Sequence, residues 1–144
     1  MNIIWGVTLT ILSSIAYFGQ LISAFWPKTA AKLGLTEPEG EVDPTFYADM
    51  RGEAAWDTVT LWTLPVAGIL LLVNNPLWAY FGLVGGGMYL YFAGRGIIVR
   101  RVMQQRNTHI GTLDSLKVAY TFLALWGLAA VITIVMAIAA LPLS

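Results

Sequence analysis

The chain has 144 residues, a length that suits one domain. Hydrophobic residues make up 58% and charged residues 11%, with a mean hydropathy of +0.71; a soluble domain carries about 25% charged residues, so the composition excludes an ordinary soluble protein and predicts an all-α integral membrane fold. The formal net charge is zero, no cysteine is present for disulfides or thiolate metal sites, and the single His109 excludes a multi-histidine metal site or a haem held by two histidines of one chain.

Four runs reach the roughly 20 apolar residues that a bilayer crossing needs: Ile3 to Phe25, Ala54 to Val73, Leu77 to Val99 and Leu116 to Leu141. With their flanking signals they predict helices over 3–25, 44–73, 77–105 and 116–141, joined by loops 26–43 and 106–115. The fold expected is a single-domain four-helix membrane bundle.

The first run has no basic n-region and is too long for an h-region, so no cleavable signal peptide is expected. Its stripe Gly6–Ser13–Tyr17–Gln20 follows helical spacing. In the first loop, Lys28 to Leu33 reads as a short interfacial helix that begins with Pro27 and is closed by Gly34. The acidic stretch Glu37 to Asp43 is expected to be irregular. Asp43-Pro44 then reads as the cap and first residue of the second helix. Phe46, Tyr47 and Trp56 would lie at headgroup level, and Trp5, Trp26 and Trp78 are read as interface anchors.

The second helix carries Arg51, Glu53 and Asp57 into an apolar run, with the two acids four apart on one face. Only Asn74-Asn75-Pro76 separates it from the third helix, which predicts a tight hairpin. Asp57 lies 17 residues before Asn74 and Arg95 lies 19 after Pro76. At about 1.5 Å per residue their depths agree to within about 3 Å. A direct or water-bridged Asp57–Arg95 ion pair is therefore expected, with Glu53 sharing Arg95. Gln20 and Tyr120 reach a similar depth, and Tyr91 sits one turn from Arg95. The expected site is a polar layer of Gln20, Glu53, Asp57, Tyr91, Arg95 and Tyr120. It is either a clamp between helices or a small cytoplasm-facing cavity for a polar headgroup, a proton or a small ligand. No catalytic set and no metal site are expected. No cofactor is predicted, and a lipid or a quinone is the ligand class such a cavity would take.

The third helix also carries a small-residue stripe, Gly82, Gly86 and Ala93, on the face away from Arg95. It serves either packing within the chain or a homo-oligomer contact. Gly85-Gly86-Gly87 lies in an apolar helix with no strand before it, so it is not a nucleotide loop. In the third loop Arg100, Arg101 and Arg106 are expected at anionic lipid headgroups, and His109 is expected at the surface.

Charge sets the orientation. Lys28, Lys32, Arg51, Arg95, Arg100, Arg101, Arg106 and Lys117 all fall in or beside the two long loops. The positive-inside rule then puts those loops in the cytoplasm and both termini outside the plasma (bacterial inner) membrane. From Lys28 to Asp57 three basic residues oppose seven acidic ones, net −4. From Arg95 to Lys117 five oppose one, net +4. The two segments are expected to lie against each other.

Ala24-Phe25-Trp26-Pro27, followed by Ala30-Ala31 and Leu33-Gly34-Leu35, then by Arg51-Gly52-Glu53 opening the second helix, resembles the small four-helix bacterial membrane proteins around the DoxX family. The resemblance covers the first half of the chain, and the acidic stretch from Glu37 to Asp49 departs from the shortest members. It implies a compact bundle that serves as an accessory to a membrane redox or sulfur system, with Glu53 as the acid opening helix two. The functional expectation is a small membrane accessory or ligand-binding protein without catalysis of its own. A subunit of an oligomeric transporter or channel, and a membrane enzyme or redox accessory acting on a lipid or quinone, are the alternatives. Membrane lipids and a membrane protein are the expected partners, and nucleic acid is not among them.

Overall fold

The computed structural model describes residues 2–141, so the expected placement of Ser144 lies outside the described residues. Among the described residues six α-helices are present: α1 (Asn2–Phe25), α2 (Pro27–Lys32), α3 (Pro44–Thr60), α4 (Thr63–Leu72), α5 (Trp78–Gln105) and α6 (Leu113–Ala140). A 3-10 turn over Glu39–Glu41 interrupts the acidic loop, and no strand occurs among the described residues. Four stretches are long and apolar enough to cross a membrane: Ile3–Phe25, Pro44–Leu72, Trp78–Gln105 and Leu113–Ala140.

The start signals read from sequence are the ones the backbone uses. Asp43 caps α3, its Oδ1 accepting the Thr45 amide at 2.8 Å, with Pro44 in the first helical position. Gly34 ends α2 at φ +71°, and the Leu35 amide reaches back to the Ala30 carbonyl at 2.9 Å. Thr112 caps α6 through Ser115 N at 3.2 Å, three residues earlier than the hydropathy indicates.

The second helix is not continuous over 44–73. It breaks at Leu61 and Trp62, and Pro65 is the cause. A proline four residues on cannot donate to the Leu61 carbonyl, and its ring crowds that carbonyl. In an apolar bundle the loosened carbonyls need donors. Trp62 Nε1 supplies one to Val59 O at 2.9 Å and Thr63 Oγ1 one to Thr60 O at 3.1 Å. The ladder resumes with Val66 N on Trp62 O at 3.3 Å.

Residues 73–77 join α4 to α5. Asn74 takes φ +53°, Asn75 N bonds Leu70 O at 2.9 Å and Asn74 N bonds Leu71 O at 3.2 Å, which is a Schellman closure. The Asn75 side chain then accepts the Leu77 amide at 3.0 Å and starts α5. α5 returns along α4 closely: a Cβ on Gly85 would lie 2.7 Å from the Leu64 nitrogen.

Small residues set the α5–α6 contact. Gly82 lies against Ala137 and Thr133, Gly86 against Ile134 and the Ala130 carbonyl, and Ala93 against Gly127. The contacts descend α6 as they ascend α5, as antiparallel neighbours require. The Gly82–Gly86–Ala93 face is thus filled by α6 of the same chain, which is the intrachain outcome of the two weighed for that stripe. On the other side Gly68 lets α4 approach Thr10 of α1, where a Cβ would stand 2.9 Å from the Thr10 nitrogen.

The central core holds Leu9, Leu61, Leu64, Tyr89 and Ala130. Trp78 belongs to a further buried cluster with Leu71, Ala79 and Ala137 and is only 9% exposed, so it is a packing residue and not an interface anchor. At the charged end Val42, Phe46, Ile110 and Leu116 form a cluster of their own. There the Asp43 amide donates to the His109 carbonyl at 2.8 Å. The two oppositely charged segments do lie together, joined by apolar side chains and a backbone bond as well as by charge.

Candidate ligand site

α3 presents Asp49, Glu53 and Asp57 one turn apart on one face. Arg95 of α5 opposes them. Its Nη2 meets Asp49 Oδ1 at 2.5 Å and its Nη1 meets Asp49 Oδ2 at 3.2 Å, a two-pronged contact of the kind a planar guanidinium favours. Glu53 Oε1 lies 3.3 Å from Nη1, a charge contact without hydrogen-bond alignment, and that buried oxygen has no hydrogen-bond partner. The side chains are 28%, 25% and 10% exposed for Arg95, Asp49 and Glu53, so the group grades inward from the charged end.

The direct form of the expected Asp57–Arg95 pair is absent. Asp57 is 4% exposed, its Oδ2 has no hydrogen-bond partner, and Glu53 and Arg95 lie only within electrostatic reach. Matching depths along two straight helices overlooked the break at Leu61–Trp62 and the length of an arginine stem, which carries its charge toward the wet end. Asp49, the nearest acid in that direction, takes the guanidinium. Asp49 was absent from the layer read in the sequence, although 49, 53 and 57 are evenly spaced by one turn.

The other expected members divide. Gln20 faces the same region from α1. Tyr91 is 62% exposed and turned away from the layer; Tyr89 is the buried tyrosine of this helix, donating to Ser13 O at 2.7 Å. Tyr120 donates to Gln104 Oε1 at 2.7 Å and packs on the charged-end cluster, outside the layer. Arg101 and Arg106 are exposed. Arg100 is not: its guanidinium turns inward over the Phe46 ring, 5.6 Å from the centroid, and donates to Gly96 O at 3.0 Å. Arg51 donates to the Ser23 carbonyl, placing a cation at the last turns of α1.

Beside this acidic file runs a cleft of about 480 Å³. α1 and α6 approach at Trp126, whose Nε1 donates to Leu12 O at 2.8 Å. Toward the charged end the space between them is the cleft. Its side walls are apolar, with Ile15 and Ala16 from α1 and Val118, Phe122 and Trp126 from α6. Its polar groups, among them Gln20, Glu37, Glu53, Arg100 and Asp114, gather at the charged end. Apolar walls with a few converging polar groups are the usual make-up of a small-molecule site. Composition gave no signal for the cleft, because its walls read as ordinary helix residues. Among the described residues no group of three or more His, Cys, Asp or Glu is placed to hold a metal ion.

No protein-family model, curated protein or solved structure matches the chain.

Proposed function

We propose that the chain is a small integral membrane protein that binds an amphiphilic molecule, a lipid or a quinone, in the cleft between α1 and α6, and serves as an accessory without catalysis of its own. In this reading the four long stretches cross the bacterial inner membrane, α4 and α5 form a tight hairpin, and the charged loops lie in the cytoplasm. Ile4, Ile11, Phe18 and Val73 are each more than half exposed, a cost in water that lipid removes. The resemblance of residues 24–53 to DoxX-like proteins suits the same architecture.

The observation that carries the reading is the cleft itself: apolar along both helices and closed at one end by a buried carboxylate. Such a shape suits a molecule with a tail and a head. Ala119 lines the cleft, and Ala119→Trp should fill it from the α6 side. Mass spectrometry of protein purified in mild detergent should find about one amphiphile per chain in the wild type. The variant should lose it at an unchanged melting temperature. Equal occupancy in both, or an empty wild type, overturns the reading.

A further inference from the structure

We infer that the cleft selects a single-chain amphiphile with a cationic, hydrogen-bond-donating head, an alkylammonium, with Glu53 as its counter-ion; this rests on the amphiphile reading above. The floor of the cleft decides the sign of the head. Glu53 is about nine-tenths buried and lines the cleft; its Oε1 is sealed against Arg95, 3.3 Å from Nη1, so the carboxylate can offer the cleft only its other side. Its cation is shared: Arg95 gives both of its aligned bonds to Asp49 and only an unaligned approach to Glu53. The cleft's basic residue is engaged as well, Arg100 lying over Phe46 and bonding Gly96 O. Of the charged side chains lining the cleft, Glu37, Glu53 and Asp114 are acids against Arg100 alone.

A carboxylate in an apolar cleft with no aligned donor is costly, and a donor brought by a ligand to its cleft-facing side offsets that cost. An ammonium brings three N–H donors and a positive charge. A sulfate or carboxylate head brings like charge and acceptors only. A quinone carbonyl offers acceptors and no donor, so among the amphiphiles the cleft could take, the ammonium is the head that Glu53 favours. The tail is served by Ile15, Val118, Phe122 and Trp126, and a volume of about 480 Å³ falls within the range of small-molecule sites.

Trp126 lies in the wall and reports occupancy through quenching by a brominated tail. The full chain in zwitterionic nanodiscs would be titrated with bromododecylamine, bromododecanol and bromododecyl sulfate. Native mass spectrometry serves as a second readout of stoichiometry, and Trp126→Phe assigns the quenched tryptophan. The amine should half-saturate at a concentration at least about tenfold below the alcohol, the ratio expected of one charge-assisted contact, with the sulfate weakest. Glu53→Gln should erase the preference, so that the amine and the alcohol half-saturate at the same concentration. The wild-type head series is sufficient alone should that variant not fold. Equal binding of all three heads overturns the charge selection and leaves amphiphile binding standing. Preference for the sulfate overturns it in favour of Arg100 as the recognising group. No saturable occupancy with any head overturns both this inference and the reading beneath it.

Discussion

Three carboxylates on α3 face one guanidinium, and the outermost of them holds it. The result follows from the stem of Arg95: three methylenes and Nε let the charge leave the apolar depth at which its Cα sits. Asp49, at 25% exposure, gains the fork, while Asp57, at 4%, is left without a donor. A double-mutant cycle in detergent unfolding should therefore give Arg95→Ala and Asp49→Ala a coupling of about 1–3 kcal/mol, the usual worth of a charged hydrogen bond. The cycle of Arg95→Ala with Asp57→Ala should give clearly less; the reverse order would mean that Asp57 is the true partner. Asp57→Asn keeps the side-chain volume at a site where Oδ2 accepts no hydrogen bond, so it should melt no lower than the wild type. The start of α3 at Asp43-Pro44 and the sharing of Arg95 by Glu53 were legible in the sequence, because each depends on local spacing. The partner of Arg95 was not, because it depends on where a flexible stem ends. Asp49 carried a legible signal in its one-turn spacing from Glu53 and Asp57, but the reading started the polar layer only at Glu53.

At the scale of helices the sequence showed the small residues of α5 without showing their neighbours. Gly85, Gly86 and Gly87 are consecutive and point in three directions, toward the backbone of α4, toward α6 and toward open space. Substitution should sort them accordingly. Gly85→Ala puts a Cβ 2.7 Å from the Leu64 nitrogen, where backbone must move, and should cost about 1–3 kcal/mol of stability. Gly87→Ala meets nothing within 4 Å and should be neutral or stabilise by up to about 1 kcal/mol through helix propensity. Equal melting temperatures for the two would contradict the α4–α5 contact. Gly86→Leu should lower thermal stability with no change of oligomeric mass, since α6 already occupies that face; a shift toward monomer would restore the subunit contact. Pro65 is the opposite lesson. A proline inside an apolar run marks a probable break, and the length of the run obscured it.

Taken whole, the molecule is polarised. All sixteen charged side chains belong to residues 28–57 and 95–117, and the structure brings these two segments together at one end of the bundle, at Asp43–His109, Phe46–Ile110 and Asp49–Arg95. The joining residues 73–77 at the far end carry Asn74, Asn75 and Pro76 and no charge. That arrangement has consequences in a bilayer. Basic side chains resist translocation, so the end that carries Lys28, Lys32, Arg101 and Arg106 should remain cytoplasmic and the joint should cross. On the proposed orientation the cleft would open at the cytoplasmic leaflet, with Glu53 nearer the headgroup level than Trp126, which is the order an amphiphile needs. An insertion reporter near Gly40 should read cytoplasmic, and a fusion at Ser144 should read external. A cysteine introduced in place of Asn75, in a chain that has none of its own, should react with a membrane-impermeant maleimide added outside intact cells. A cysteine in place of Arg106 should stay unreactive until the cells are opened. Labelling of position 106 and protection of position 75 would invert the molecule in the membrane and move the cleft to the outer leaflet, where its acidic floor would meet a different set of amphiphiles.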